Sequence, residues 1–174
     1  MFKKMNITIS HLLIMKFLGR NYDKGYTVRE LSRILGLSVG NVSIVLREME
    51  KEGLIKKEKK GNMVFSKANM ESVILREFKF LFTLIEIKEL LELVIPLAHK
   101  VYIFGSCVSG EDKEDSDVDI CIVTEKKDSV FDVITRFRAE RKLSPLVLST
   151  DEFIGLKKKD KALYNQITSG RMVK

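Results

Sequence analysis

The sequence predicts an α+β protein: a helical N-terminal domain closed by a two-stranded hairpin, a long connecting helix, and a small C-terminal α/β domain with a short mixed sheet. Three observations predict it. Apolar residues recur at helical spacing from Ile9 to Met49 and then alternate around Gly61-Asn62. A helical pattern runs from Asn69 to Pro96. Beyond it, the apolar run Val101–Phe104 meets Gly105-Ser106, and a second strand-like run, Asp117–Val123, follows ten residues later.

Length and composition bound the answer first. A chain of 174 residues, 32% charged and 45% hydrophobic, suits one globular domain or two small ones. Met1-Phe-Lys-Lys leads into the polar mix Asn6, Thr8, Ser10 and His11, which is not a leader pattern. The longest apolar stretch, Phe78 to Ala98, is broken by Lys79, Glu86, Lys88, Glu89 and Glu92, which excludes a membrane span and a membrane partner. Cys107 and Cys121 have neither zinc nor disulfide spacing, so both are expected as reduced thiols in a cytoplasmic protein. The net charge of +7 is unevenly spread: residues 1–68 carry +8, residues 69–98 carry −2, and residues 99–174 carry +1. A positive excess confined to one module is what a polyanion-binding module shows.

In order, residues 6–20 predict a first helix ended near Gly19, and Asn21 to Tyr26 a polar loop. Thr27-Val-Arg-Glu30 is a capping box for a second helix through Leu35, burying Val28, Leu31, Ile34 and Leu35. Gly36 stops it. Ser38 caps a third helix whose Val42, Val45, Leu46 and Met49 face inward, with Gly53 at a left-handed end. Two helices joined by Gly36-Leu37-Ser38 make a helix-turn-helix, and Leu54 to Ser66 makes the hairpin behind it. This arrangement is similar to the winged-helix DNA-binding fold over about residues 6–68. The resemblance implies a third helix in the major groove of double-stranded DNA and a hairpin wing along its backbone. Asn41, Ser43 and Arg47 would then meet base edges, with Val39, Gly40 and Lys51 on the same face. Lys56, Lys57, Lys59 and Lys60 would neutralise phosphates. A winged helix used only for protein contacts stays open as the alternative.

Residues 69–98 form the connector, capped by Asn69 and ended by Pro96. Ile74, Phe78, Leu81 and Ile85 make one apolar stripe, and Val73, Phe80, Leu84, Ile87, Leu91 and Val94 another. One stripe can pack within the chain and the other against a second copy, so a homodimer is expected.

Residues 99–174 carry the chemistry. On a strand, Asp117 and Asp119 project from one face with Cα atoms about 6.6 Å apart. Two carboxylates so placed repel unless a hard cation, Mg²⁺ or Mn²⁺, sits between them. Gly105 allows a sharp turn and a close backbone approach, and Ser106 opens a short helix whose free amides suit a phosphate. Gly-Ser, ten residues, Asp-x-Asp resembles the signature of the minimal nucleotidyltransferases of the DNA polymerase beta superfamily. Gly110 and Asp115-Ser116 extend the match. The resemblance implies a nucleoside triphosphate, ATP first among them, held by Gly105, Ser106 and Ser116, with Asp117 and Asp119 as catalytic residues and metal ligands. The family draws a third carboxylate from the neighbouring strand, whereas Leu146-Val147-Leu148 holds no acid, and it often carries an Arg where Ser109 stands.

Further on, residues 128–142 predict a helix with Val130, Phe131, Val133, Ile134 and Phe137 inside and Arg136, Arg138, Arg141 and Lys142 outside, a basic row that is either a solvated face or a contact for a triphosphate or an acidic partner. Pro145 to Ser149 predicts a third strand, and a last helix runs to about Ser169. The resulting domains are 1–68, 69–98 and 99–174. Two functions are expected. Either the C-terminal domain moves a nucleotide, AMP from ATP, onto an acceptor hydroxyl, with a toxin of the HEPN class or another protein implied as acceptor by resemblance; or the chain is a transcriptional regulator whose degenerate domain only binds the nucleotide.

Overall fold

The computed structural model describes residues 6–174; the Met1-Phe-Lys-Lys start, on which the leader argument rests, lies outside them. The chain divides into two compact units, one reaching to Lys79 and one from Phe80 to Lys174. The division falls inside a helix rather than at either end of the expected connector.

The first unit holds α1 (Ile9–Arg20), α2 (Val28–Leu35), α3 (Val39–Lys51), β1 (Ile55–Lys60) and β2 (Met63–Ala68). Leu31, Val42, Val45, Leu46 and Met49 are buried as expected, but Ile34 is exposed. The Thr27–Glu30 capping box forms, Thr27 N–H donating to Glu30 at 2.7 Å and Glu30 N–H to Thr27 Oγ1 at 3.3 Å. Ser38 accepts from Asn41 N–H at 3.2 Å and starts α3. β1 and β2 pair antiparallel with Lys60 opposite Met63, so Gly61-Asn62 is a two-residue turn. The loop before α2 adds what the sequence did not suggest: Tyr26 and Ser66 exchange backbone bonds of 2.9 and 2.8 Å, a one-residue bridge onto β2 of the wing.

α1 ends at Arg20, next to Gly19 as expected, and the Lys79 stem lies against Gly19, where an added Cβ would come within 3.1 Å of Lys79 Cγ. His11 is buried, its Nδ1 accepting from Thr8 N–H at 3.2 Å, which leaves Nε2–H to donate to Glu48 on α3 at 2.9 Å.

The expected single helix over the connector is two helices, α4 (Val73–Glu86) and α5 (Lys88–Val94), followed by a 3₁₀ turn at Ile95–Leu97. The break is at Ile87, where φ −102° and ψ 12° leave the helical region. Ser72 rather than Asn69 accepts from the first turn, from Leu75 N–H at 3.4 Å.

The second unit adds β3 (Lys100–Phe104), α6 (Ser106–Ser109), β4 (Val118–Val123), α7 (Lys127–Arg136), β5 (Leu143–Leu148), α8 (Thr150–Lys159), α9 (Lys161–Thr168) and β6 (Arg171–Met172). The sheet runs β5-β4-β3-β6, parallel between β4 and β5 and antiparallel elsewhere, the mixed sheet that was expected. Alternation gives it two faces. Val101, Ile103, Ile120 and Ile122 pack with Phe80, Ile87, Leu90, Val94 and Val130. Tyr102, Phe104, Cys121 and Val123 pack with Phe153 and Ile167 on the other side. The second stripe of the connector is therefore core of this unit, apart from the exposed Val73; Ile74, Leu81 and Ile85 of the first stripe remain exposed.

Three elements differ from expectation. α7 stops at Arg136, so Arg141 and Lys142 lead into β5, and Phe131 is exposed. The last helix is broken at Asp160, whose carboxylate caps α9 by accepting from Leu163 N–H at 2.9 Å. β6 pairs beside β3 with only two residues, too short to read from a pattern.

Both cysteines are free and buried. Burial raises the Cys107 thiol and pushes Cys121 up to about 12. Neither is expected to react with a thiol reagent at neutral pH until the chain is unfolded, when two should be counted; rapid labelling of the folded protein would contradict this. Among the described residues no helix is long and apolar enough to cross a membrane.

Candidate functional site

The turn from β3 into α6 is built on Gly105, at φ 72° and ψ −153°, a region open to glycine alone. Its Cα lies against Asp119, so that a Cβ there would collide with the Asp119 carboxylate. The reason is register: Phe104 is opposite Asp119 in the antiparallel pair of β3 and β4, which puts the residue that follows β3 beside that side chain. Gly105 and the acid pair are thus one place. Cys107 Sγ, 3.6 Å from the Asp117 carbonyl, ties α6 to the other acid. Ser106 begins α6, and its carbonyl accepts from Glu111 and Asp112 N–H at 2.9 and 3.2 Å. α6 has one turn, so a phosphate there would meet local amides rather than a long helix dipole. Ser116 is committed on one side, accepting from Lys113 N–H at 2.8 Å.

The charges around the acids are informative. Asp119 is raised above the ordinary carboxylate range, first by burial and also by the Asp117 charge, against a hydrogen bond from Ser144 that lowers it. Ser144 is the register partner of Asp119 on β5, so the strand beside the acid pair offers a hydroxyl. Lys142 Nζ lies 2.8 Å from Asp117 Oδ2. Among the described residues no cluster of three or more His, Cys, Asp or Glu could hold a metal. Two hard carboxylates, one destabilised by burial and by its neighbour, fit one divalent ion that brings further oxygens from water or phosphate. They do not fit a second ion, which needs a further carboxylate, and β5 beside them carries none.

Sequence reasoning missed what supports this loop. Arg141, expected on a solvated face, is buried. It bonds Glu86 through Nη2 at 2.9 Å and Nε at 3.1 Å, Asp112 through Nη1 at 2.9 Å, and Thr83 at 2.8 Å. Asp112 lies in the loop between Gly110 and the acids, so one guanidinium ties that loop to the end of α4. No local signal marks it, because its partners are 29, 55 and 58 residues away. Arg136 and Arg138 instead border a cavity of about 520 Å³ between α5 and α7, shared with Glu89, Asp132 and Phe137.

In the first unit, the outer face of α3 presents Val39, Gly40, Ile44, Arg47 and, at its edge, Ser43. Asn41 lies on the flank, its amide donating to Ser10 on α1 at 2.8 Å, so it is not brought together with Arg47. On the wing, Lys56 pairs with Glu71 and Lys57 with Glu50, both at 2.6 Å, and Lys60 with Glu58 at 3.4 Å; Lys59 is exposed. Pairs this exposed are weak and open to exchange.

Comparison with known proteins finds a family match in each half. Residues 5–62 match the family model described as MarR family. The reduced HlyU of Vibrio cholerae N16961 is 27% identical over 44% of this chain and 77% of its own, with a TM-score of 0.38. The homodimeric winged helix-turn-helix DNA-binding domain Mb0332 of Mycobacterium bovis is 17% identical over 49% and 72%, with a TM-score of 0.36. A mutant of Lactococcus lactis ZitR in complex with DNA is 16% identical over 54% and 64%, with a TM-score of 0.40. No curated protein matches the chain. Residues 85–174, just over half of the sequence and the whole of the sheet with its Gly-Ser turn and acid pair, match the family model described as polymerase beta, nucleotidyltransferase, and the chain belongs to that family.

Proposed function

We propose that this protein binds duplex DNA through its winged helix and, at Gly105, Ser106, Ser116, Asp117 and Asp119, takes a nucleoside triphosphate with one Mg²⁺ or Mn²⁺ ion and transfers a nucleotide to a hydroxyl. The observation that carries the reading is the contact of Gly105 with Asp119, which merges the phosphate turn and the acid pair into one site. The ion, held by Asp117 and Asp119, would neutralise triphosphate charge. Transfer joins the acceptor oxygen to the α-phosphorus and breaks the bond to the bridging oxygen, releasing pyrophosphate, while the hydroxyl proton leaves to water. ATP as donor makes this adenylylation, and a hydroxyl on a partner protein, in the manner of antitoxin-type modifiers, is the acceptor. The protein works in the cytoplasm, as a dimer through the exposed stripe of Ile74, Leu81 and Ile85 on α4.

Incubation with Mg²⁺, labelled ATP and cell lysate should transfer label from the native protein and none from Asp117→Asn/Asp119→Asn. A second reading has its own support: β5, the strand beside the acid pair, carries no carboxylate and sets Ser144 opposite Asp119, which favours a regulator that binds nucleotide without transfer. Binding of ATP with no label moved to any acceptor would select it.

For DNA, Arg47→Ala should relax sequence choice at one position by about 1–3 kcal/mol. Neutralising Lys57 and Lys60 should weaken binding to every duplex and flatten the salt slope by roughly 0.9 for each phosphate no longer neutralised. Unchanged binding in both variants would exclude the groove arrangement.

A further inference from the structure

We propose that Lys142 is a working part of the nucleotide site, its ammonium supplying the positive charge that a second divalent ion would bring where β5 carries Ser144 instead of an acid. The proposal rests on the nucleotide-binding reading above and specifies how that site balances its charge.

Four observations converge on Lys142. Its backbone is fixed at the acid pair, because Val118, the residue between Asp117 and Asp119, donates its N–H to the Lys142 carbonyl at 2.9 Å. Its side chain starts from that anchored point and reaches Asp117 Oδ2 at 2.8 Å. The register partner of Asp119 is Ser144, two residues on, so the strand that lacks the third acid is the one that delivers the cation. Finally, the Lys142 side chain is 78% exposed, so its bond to Asp117 contributes little to the fold and is readily remade to another anion.

The charge balance follows. A triphosphate brings up to four negative charges to two carboxylates, and one divalent ion leaves a large excess uncompensated. A lysine on a flexible four-carbon stem can leave the Asp117 oxygen to the ion and move to a phosphate oxygen without moving its backbone. Arg141, the residue before it, is locked in the buried network with Glu86 and Asp112, which anchors the start of β5 while the Lys142 head stays mobile in solvent. Arg and Lys are thus adjacent in sequence with opposite tasks, one structural and one directed at the ligand.

The test uses the full chain with MnATP, measuring ATP affinity by equilibrium dialysis and protein-bound Mn²⁺ by its paramagnetic resonance. The native protein should hold one Mn²⁺ per ATP. Lys142→Ala should bind ATP about tenfold or more weakly, as expected when one charge-assisted bond is removed, with an unchanged melting curve. Lys142→Arg should recover part of that affinity. Ser144→Asp should admit a second Mn²⁺ and make ATP binding less dependent on Lys142. Two ions per ATP in the native protein, or equal ATP affinity in Lys142→Ala, would overturn the role of Lys142 while leaving nucleotide binding intact. No ATP binding by the native protein at any Mn²⁺ concentration would overturn both.

Discussion

Gly105→Ala is expected to lose ATP binding by at least about tenfold and to destabilise the second unit by about 1–3 kcal/mol. Two causes add. Alanine is strained at φ 72°, ψ −153°, and its Cβ occupies the space of the Asp119 carboxylate, which must then rotate out of the site. The two can be separated. In an Asp119→Gly background the collision is gone and only the backbone strain remains, so the stability penalty of Gly105→Ala should shrink. Denaturant unfolding of the four proteins of this cycle measures the coupling. If the penalty is the same with and without Asp119, the close approach of the turn to the acid is not what requires glycine.

Arg141→Ala is expected to cost about 3–5 kcal/mol, a large share of what a domain of this size holds in total. The reason is the state it leaves behind rather than the bonds it removes. Asp112 and Glu86 would stay buried without the guanidinium that faces both. Adding Glu86→Gln to Arg141→Ala removes one of those charges and should restore part of the stability. A midpoint in urea within error of the native protein would mean that water reaches the cluster and solvates the acids. The same substitution should also loosen the loop carrying Asp112, so ATP affinity should fall along with stability, whereas Lys142→Ala lowers affinity alone.

Much of this protein could be read from its residues, and the divide follows range. The capping box at Thr27–Glu30, the cap at Ser38 and the Gly61-Asn62 turn are decided by groups within a few residues of each other, and each formed as read. The strand that carries Asp119 was legible because alternation along a strand is local geometry, with Asp117 standing just before its first residue. The Gly105-Ser106 turn was legible because a sharp turn straight after an apolar strand restricts residue choice, and Gly105 takes φ 72° there.

What failed was whatever depended on a distant partner. Gly19 was read only as a mark of the helix end, which lies one residue on; that its lack of a side chain also makes room for Lys79, sixty residues away, was not legible. Ile87 sits in an unbroken helical pattern, yet the core of the second unit takes it, Leu90 and Val94 against the sheet, and the helix breaks there. Arg141 looked like part of a solvated row because periodicity cannot distinguish a charge facing water from a charge facing two buried acids; Lys142 of the same row is exposed, as read.

The sequence by itself determined that a basic winged helix precedes a domain with the nucleotidyltransferase signature, and where the turn and the acid pair lie along the chain. Tertiary structure alone decided that Gly105 touches Asp119, that Ser144 stands opposite it on β5, and that Arg141 is buried while Lys142 reaches Asp117. Local patterns record propensities, which act over one or two turns of chain. Charge, burial and collision act through space, and their partners are chosen only when strands and helices are brought into register.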